Sequence, residues 1–415
     1  MPSLERLKKY ARLLVTAGVN VRPGQELVVQ GPVERADFVR LAVAAGYEAG
    51  AGHVTVMWTD DAIKRLTYEN VELEYFKTVP AWRREQLDSL ARMGAAFLWL
   101  DGESPSALVG IDAAKPAAAS KATNTQCKAY RHGMDFGENA WCIAGVPTLD
   151  WAATVFPDEE PTQAVEHLWD AILDVARVTD DPIAAWERHN ESFERQKSFM
   201  NEQHFDRLHY TSSNGTDLTV GLTDRHVWEG GASRSVEGAV YPHTRFFPNI
   251  PTEEVFTSPD RLRVDGVVHS ALPLIHRGNR VDDFWLRFEG GAVVEYDAAV
   301  GLDVLKQIIE TDENSMRLGE CALISKNTPI RQLGVLFYNT LYDENASCHL
   351  ALGKGFPECY EGGLDLSEEE LLAHGINQSA THVDFMIGAD DLDIVGIKPD
   401  GTEVQVFAHG QWAWE

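Results

Sequence analysis

Hydrophobic spacing along the chain switches, near residue 208, from an alternation of helical and strand periods to a succession of short strands, and such a switch calls for two differently built domains. Ser3 can N-cap a helix whose apolar positions Leu4, Leu7, Tyr10, Ala11 and Leu14 fall at three-to-four spacing, with Gly18 as the stop. Residues 26–30 then read as a strand, 33–49 as a helix, and 53–58 and 95–100 as strands, separated by helix-compatible polar stretches. A further helix carries Val165, Leu168, Trp169 and Ile172, and a long polar one over 182–203, behind Asp180-Asp181, bridges to the second domain. After Leu208, strands are expected at 218–222, 263–269, 285–289, 292–296, 334–338, 382–387 and 404–407, with turns such as Glu289-Gly290-Gly291 and Pro399-Asp400-Gly401. The expected class is α/β: an N-terminal α/β domain over residues 1–190 with its sheet flanked by helices, followed by a strand-rich α+β domain over 191–415. No fixed-period repeat or low-complexity tract interrupts this division.

A length of 415 residues and a hydrophobic fraction of 44% are ample for two cores. The formal charge of −28 opposes a phosphate backbone, and the densest basic stretch, Lys115, Lys121, Lys128 and Arg131, is broken by alanines. No nucleic-acid partner is expected. The five cysteines include no CxxC pair, the N-terminus lacks an apolar signal-peptide core, and no run of 18 apolar residues occurs. These features predict a cytoplasmic protein with no membrane partner.

Residues able to carry chemistry concentrate in the second half. Thr252-Glu253-Glu254-Val255-Phe256 sets two carboxylates among apolar residues, where burial is costly without a cation nearby. Glu320 leads into an apolar strand behind Gly319, whose missing side chain permits close backbone approach, and His349 borders another apolar run. In His382-Val383-Asp384-Phe385 the strand period of two turns His382 and Asp384 to one face. Each feature alone has a plain reading: His349 as a core histidine, Glu320 as a strand-end carboxylate, Glu253-Glu254 as a solvated edge, and His382 with Asp384 as a hydrogen-bonded pair. Glu368-Glu369-Glu370 after Ser367 reads as the first turn of a capped helix.

Taken together, Asn249-Ile250-Pro251-Thr252-Glu253-Glu254-Val255-Phe256-Thr257, Leu318-Gly319-Glu320, Asn339-Thr340-Leu341-Tyr342-Asp343-Glu344-Asn345-Ala346-Ser347-Cys348-His349 and His382-Val383-Asp384-Phe385-Met386-Ile387-Gly388 resemble the signature blocks of the M29 aminopeptidases, the thermophilic aminopeptidase T type. The similarity extends over essentially the whole chain. It implies a metal-dependent exopeptidase that releases N-terminal residues from peptides, with two divalent ions in the C-terminal domain and a homodimer enclosing the sites. Carried over by position, it makes Glu254, Glu320, His349, His382 and Asp384 the metal ligands. Glu253 is then either a group supporting the ligands or a general base brought in by a bulge. In the run Leu352-Gly353-Lys354-Gly355-Phe356-Pro357 the chain departs from the family, which carries tyrosine on or beside the metals where Phe356 stands. Tyr360 is the nearest alternative hydroxyl in sequence.

The ligand set mixes nitrogen and oxygen without thiolate, which suits Zn, Co or Mn better than Ca and does not select among the three. Its carboxylates leave two divalent ions net positive, able to acidify water and polarise a scissile carbonyl. Two other readings stay open on sequence alone. A dinuclear phosphoesterase would need basic residues near these blocks, for which only Arg317 is close. A weakened or non-enzymatic metal-binding homologue would account for Phe356.

Overall fold

The computed structural model describes residues 2–276 and 278–414. The chain divides into two compact units, Met1–Arg188 with Ala232–Pro251, and His189–Gly231 with Thr252–Glu415. The division falls inside the helix Pro182–Gln203. The short segment Ala232–Pro251 thus leaves the second half of the sequence to join the first unit.

The first unit holds a parallel five-stranded sheet in the order Asn249–Ile250, Trp141–Gly145, Ala96–Asp101, Glu26–Pro32, His53–Thr59. Glu26–Pro32 reads as a nearly continuous apolar run because helices cover both of its faces. Val28 enters a cluster with Leu87, Leu90, Phe97 and Met134, while Leu27 and Val29 are buried on the opposite side. The N-terminal helix Leu4–Leu13 is capped by Ser3, whose hydroxyl accepts the Arg6 N–H, and the chain runs on through one π-helical turn to end at Gly18. The expected helix over 33–49 is a 3₁₀ turn, Val33–Arg35, followed by an α-helix, Ala36–Glu48.

The second unit is mostly antiparallel. A nine-stranded sheet contains Arg207–Thr211, Asp217–Leu222, Pro259–His269, Asn279–Glu289, Ala292–Val300, Asp393–Ile397 and Glu403–Ala408. A five-stranded sheet has the order His382–Met386, His349–Gly353, Leu318–Leu323, Val255–Thr257, Glu229–Gly230. From the five-stranded sheet, Leu318, Cys321, Leu323, Leu350, Leu352, Val383 and Phe385 enter one core with Leu218, Val220, Val264 and Phe284 of the larger sheet. Ser367 forms a capping box with Glu370, as the acidic first turn predicts.

The strand expected at 334–338 is absent. Gly334 ends the helix Pro329–Leu333 at φ 63°, and the buried Asp343 carboxylate accepts the N–H groups of Phe337 at 2.7 Å and Asn339 at 2.9 Å. A side chain therefore satisfies backbone donors that a strand would offer to a neighbour, and the apolar run Val335-Leu336-Phe337 folds as a loop.

Candidate metal centre

Strand register assembles the site. Across the five-stranded sheet Ala322 pairs with His349 and His349 with Met386; Glu320 pairs with Ala351 and Ala351 with Asp384; Gly353 pairs with His382. Paired residues share a face, so Glu320, His349, His382 and Asp384 all lie opposite the core-facing Cys321, Leu350, Val383 and Phe385. Phe256 pairs with Ala322, which assigns the same face to Phe256, while Val255 takes the core face. Glu254, directly before that strand, joins the charged group. Small residues at Ala322, Ala351 and Gly353 leave room for the longer polar side chains between them.

Gly319 makes the close approach possible: a Cβ there would lie 2.3 Å from the Lys354 carbonyl oxygen. The pairing slips between Leu318 and Glu320, a bulge that returns Leu318 to the core and Glu320 to the charged face.

Ligand-type atoms gather in two triads, Glu254 with Glu320 and His349, and Glu320 with His382 and Asp384, each within 4.8 Å. Glu320 belongs to both. His349 Nε2 is 3.4 Å from Glu254 Oε2, and His382 Nε2 is 3.1 Å from both Glu320 Oε2 and Asp384 Oδ1. Each imidazole is held from behind. His349 Nδ1 donates to the carbonyls of Glu344 at 3.0 Å and Ser347 at 3.2 Å, and His382 Nδ1 donates to the Lys354 carbonyl at 2.7 Å. These bonds fix the tautomer that leaves Nε2 for a cation, the arrangement usual for histidine ligands.

The electrostatics ask for positive charge. Burial, then the charge of Glu320, pushes the Glu254 carboxyl up to about 8. Burial works against the charged form of both imidazoles, yet the surrounding carboxylates raise His349 and carry His382 well above the ordinary histidine value. Asp384 is buried too, but the adjacent His382 brings it down to about 2. Glu344, which stands in one of the signature blocks with no role implied for it there, is raised strongly by burial and then by Asp384, Glu254 and Glu320. Four carboxylates thus face two imidazoles in a water-poor setting, a balance that divalent cations correct. The donor set therefore fits divalent metal.

The other sequence candidates fall into different places. The Phe356 ring lies against the site, 5.0 Å from the His382 ring and 5.5 Å from that of Phe256. Glu253 is not in either triad: its N–H donates to Asn345 Oδ1 at 2.7 Å, and its carboxylate lies 3.6 Å from His189 Nε2. Tyr360 is engaged elsewhere, its hydroxyl hydrogen-bonded to His374 Nδ1 at 3.1 Å, its ring stacked on that imidazole and its other neighbour the Arg225 guanidinium. Arg317 donates from Nη1 to the carbonyls of Arg261 and Gly290, which holds that end of its guanidinium on backbone.

Asp312 anchors the approach to the His382 strand, accepting from Ser379 Oγ and Ala380 N at 2.7 Å each and from Asn314 N at 2.8 Å. Partial burial opposes its charge, but these donors, Ala380 first, hold its carboxyl below the usual range. A depressed folded pKa contributes stability that is complete above the unfolded value and is lost as pH falls through the folded one. Asp312→Ala should therefore cost about 1 kcal/mol at pH 7, discounted for exposure. The loss should shrink below about pH 4, as thermal melts at both pH values would record.

A family model described as thermophilic metalloprotease (M29) matches residues 3–412. Aminopeptidase AmpS of Bacillus subtilis is 43% identical over 411 residues, covering 99% of each chain. Aminopeptidase T of Thermus aquaticus is 41% identical over 413 residues, covering 98% of each. Among solved structures, wild-type AmpT from Thermus thermophilus superposes with a TM-score of 0.90 at 38% identity, covering 99% of both chains.

Proposed function

The chain belongs to the M29 family of metalloproteases and is a metallo-aminopeptidase, a hydrolase of peptide bonds; from that premise we propose that it releases N-terminal residues at a dinuclear centre held by Glu254, Glu320, His349, His382 and Asp384. The observation that carries this reading is the pair of ligand triads joined at Glu320. Zn, Co or Mn ions, when bound, supply Lewis-acid polarisation of the scissile carbonyl and acidify the attacking water. The protein's own contribution is to aim two Nε2 lone pairs with backbone carbonyls, to offer Glu320 to both groups of ligand atoms, and to turn the apolar rings of Phe256 and Phe356 toward the same face. Glu253 takes a positioning role, tying the segment before Glu254 to Asn345 and His189. Arg317, the one basic residue near the blocks that the phosphoesterase reading could use, is tied through Nη1 to the carbonyls of Arg261 and Gly290.

The substrates in this reading are peptides with a free N-terminus, and the working form is a cytoplasmic homodimer. All five cysteines are free and buried, in keeping with a reducing compartment. No helix among the described residues is long and apolar enough to cross a membrane. Chelation should abolish hydrolysis of a leucyl chromogenic substrate while leaving the far-UV spectrum intact, because the hydrophobic core contains none of the ligands. Added Co²⁺ or Zn²⁺ should restore it. Undiminished turnover by protein that metal analysis finds empty after exhaustive dialysis would defeat the proposal.

A further inference from the structure

The edge strand Glu229–Gly230 carries the ligand-bearing face of the five-stranded sheet beyond the metal centre. Glu229 pairs with Phe256 and Phe256 with Ala322, so Glu229 lies on the face that presents Glu320 and His349. Two strand spacings put its backbone about 10 Å from that of Ala322. Along this edge runs the helix Pro182–Gln203, on which Glu194, Lys197, Asn201 and Glu202 fall on one side by three-to-four spacing. With Trp228 and Glu229 they line a recess of about 440 Å³. Asn201 Oδ1 accepts the Trp228 N–H at 2.8 Å and Asn201 Nδ2 donates to the Trp228 carbonyl at 3.1 Å, which takes up the strand's outer backbone groups there. Lys197 Nζ stands 3.1 Å from Glu194 Oε1 and 3.7 Å from Glu229 Oε2, while Glu202 has neither ion pair nor hydrogen bond among the described residues. Three carboxylates thus face one ammonium group and the His204 imidazole. Burial raises the Glu229 carboxyl, with Lys197 opposing and Glu194 assisting, and an entering cation relieves that excess of negative charge. Trp228 is 1% exposed, and its indole N–H has no hydrogen-bond partner among the described residues. The recess therefore lacks an acceptor as well as a cation.

A peptide held by its first residue at the metals has the rest of its chain to place along this face. Extended backbone advances about 3.3 Å per residue, so 10 Å is about three residues. A basic residue at that distance brings both missing partners, a cationic side chain for the carboxylates and a backbone carbonyl for the indole N–H. We infer that the recess is a subsite for a lysine or arginine side chain at the third or fourth residue of the peptide, with Glu229 as the carboxylate that determines this preference. Glu202 adds a second, more exposed carboxylate from the helix. The inference rests on the aminopeptidase reading and adds to it a choice among peptides made downstream of the bond that is cleaved.

The test uses the cobalt-loaded full chain and two peptide amides, Leu-Ala-Lys and Leu-Ala-Ala-Lys, each against its norleucine counterpart, which keeps an unbranched side chain and removes the charge. In at least one pair kcat/KM should favour lysine by about fivefold, the upper range of a partly exposed ion pair. Glu229→Gln should bring that ratio below about twofold. Metal content should match the wild type, and turnover of a leucyl anilide, which has no third residue, should stay within about twofold. Calorimetric binding of the same sequences with the first peptide bond reduced to CH₂–NH, which cannot be hydrolysed, should show the same preference and the same loss. Equal values for lysine and norleucine in both pairs overturn the inference, and so does a preference that survives in Glu229→Gln. A fall shared by the anilide also overturns it, because Glu229 would then act on the centre or the fold. If Glu229→Gln fails to fold, Glu202→Gln on the exposed helix surface serves instead: the ratio should fall by about twofold, and an unchanged ratio overturns the inference. Failure of the underlying reading looks different, because the wild-type holoenzyme would then leave the leucyl anilide intact.

Discussion

Replacing Glu320 by alanine should empty both metal positions and lower leucyl-substrate turnover by about 1,000-fold or more, the equivalent of losing several kcal/mol of Lewis-acid stabilisation. The expectation follows from Glu320's place in both triads, whereas His382 and Asp384 belong to one and Glu254 and His349 to the other. His382→Ala should accordingly be milder, emptying one position first. The fold should tolerate Glu320→Ala better than the chemistry does. Glu320 contributes no apolar surface to the core, and after burial its charge is the largest influence raising the Glu254 carboxyl to about 8. Removing one of four crowded carboxylates relieves repulsion when metal is absent, so the metal-free variant should melt at or above the metal-free wild type. Metal analysis, steady-state kinetics and melts of the apo-proteins check the three parts. A Glu320→Ala protein with full metal content and an undiminished rate would remove Glu320 from the centre.

How much of this was legible in the sequence depended on whether the information was local. His382 and Asp384 share a face because the strand period is two, and Val383 and Phe385 fill the core for the same reason. That argument needs four consecutive residues and nothing else. The gathering of Glu254, Glu320 and His349 depends instead on register between strands distant in sequence and on the slip at Gly319, which no periodicity reveals. The family resemblance supplied that set, and strand register brings its side chains near one another.

Glu344 escaped the residue-by-residue reading because its neighbour Asp343 and the turn Glu344–Ala346 lie in a stretch without helical or strand period. The signal that could have found it was a carboxylate five residues before a candidate histidine, within the same block as that histidine. Residues 334–338 misled for the converse reason. Their β-forming composition is real, but Asp343 captures the backbone donors of Phe337 and Asn339. Propensity cannot register a tertiary hydrogen bond of that kind. Likewise the two-residue strand Asn249–Ile250 is too short to show a period, although it completes the parallel sheet beside Trp141–Gly145.

Phe356→Tyr should raise kcat by tenfold or more with little change in metal content. The phenyl ring already occupies the right neighbourhood, tilted 49° against the His382 ring with a centroid separation of 5.0 Å and braced by Phe256 from another side. Its backbone is fixed by the bond from Phe356 N to Ser258 Oγ at 2.8 Å, so the substitution adds an oxygen to a ring whose position is set. A hydroxyl there can donate to the oxygen that becomes negative as the scissile carbonyl is attacked. Such a donor is typically worth about 2.7 to 4 kcal/mol in the transition state, roughly 100- to 1,000-fold in rate. The compensating hydroxyl that the sequence suggested, Tyr360, is poorly placed to have assumed this role. Its oxygen is bonded to His374, its ring lies between that imidazole and Arg225, and it packs with Leu371 and Ile376 in a small core of its own. Freeing it would break all of these contacts together. Tyr360→Phe should therefore leave kcat within about twofold, since it removes one hydrogen bond remote from the ligands. The pair of variants separates the two accounts: a gain at position 356 with silence at 360 identifies Phe356 as the element that slows this enzyme. An unmoved Phe356→Tyr together with a sharp loss in Tyr360→Phe would instead transfer the catalytic role to Tyr360.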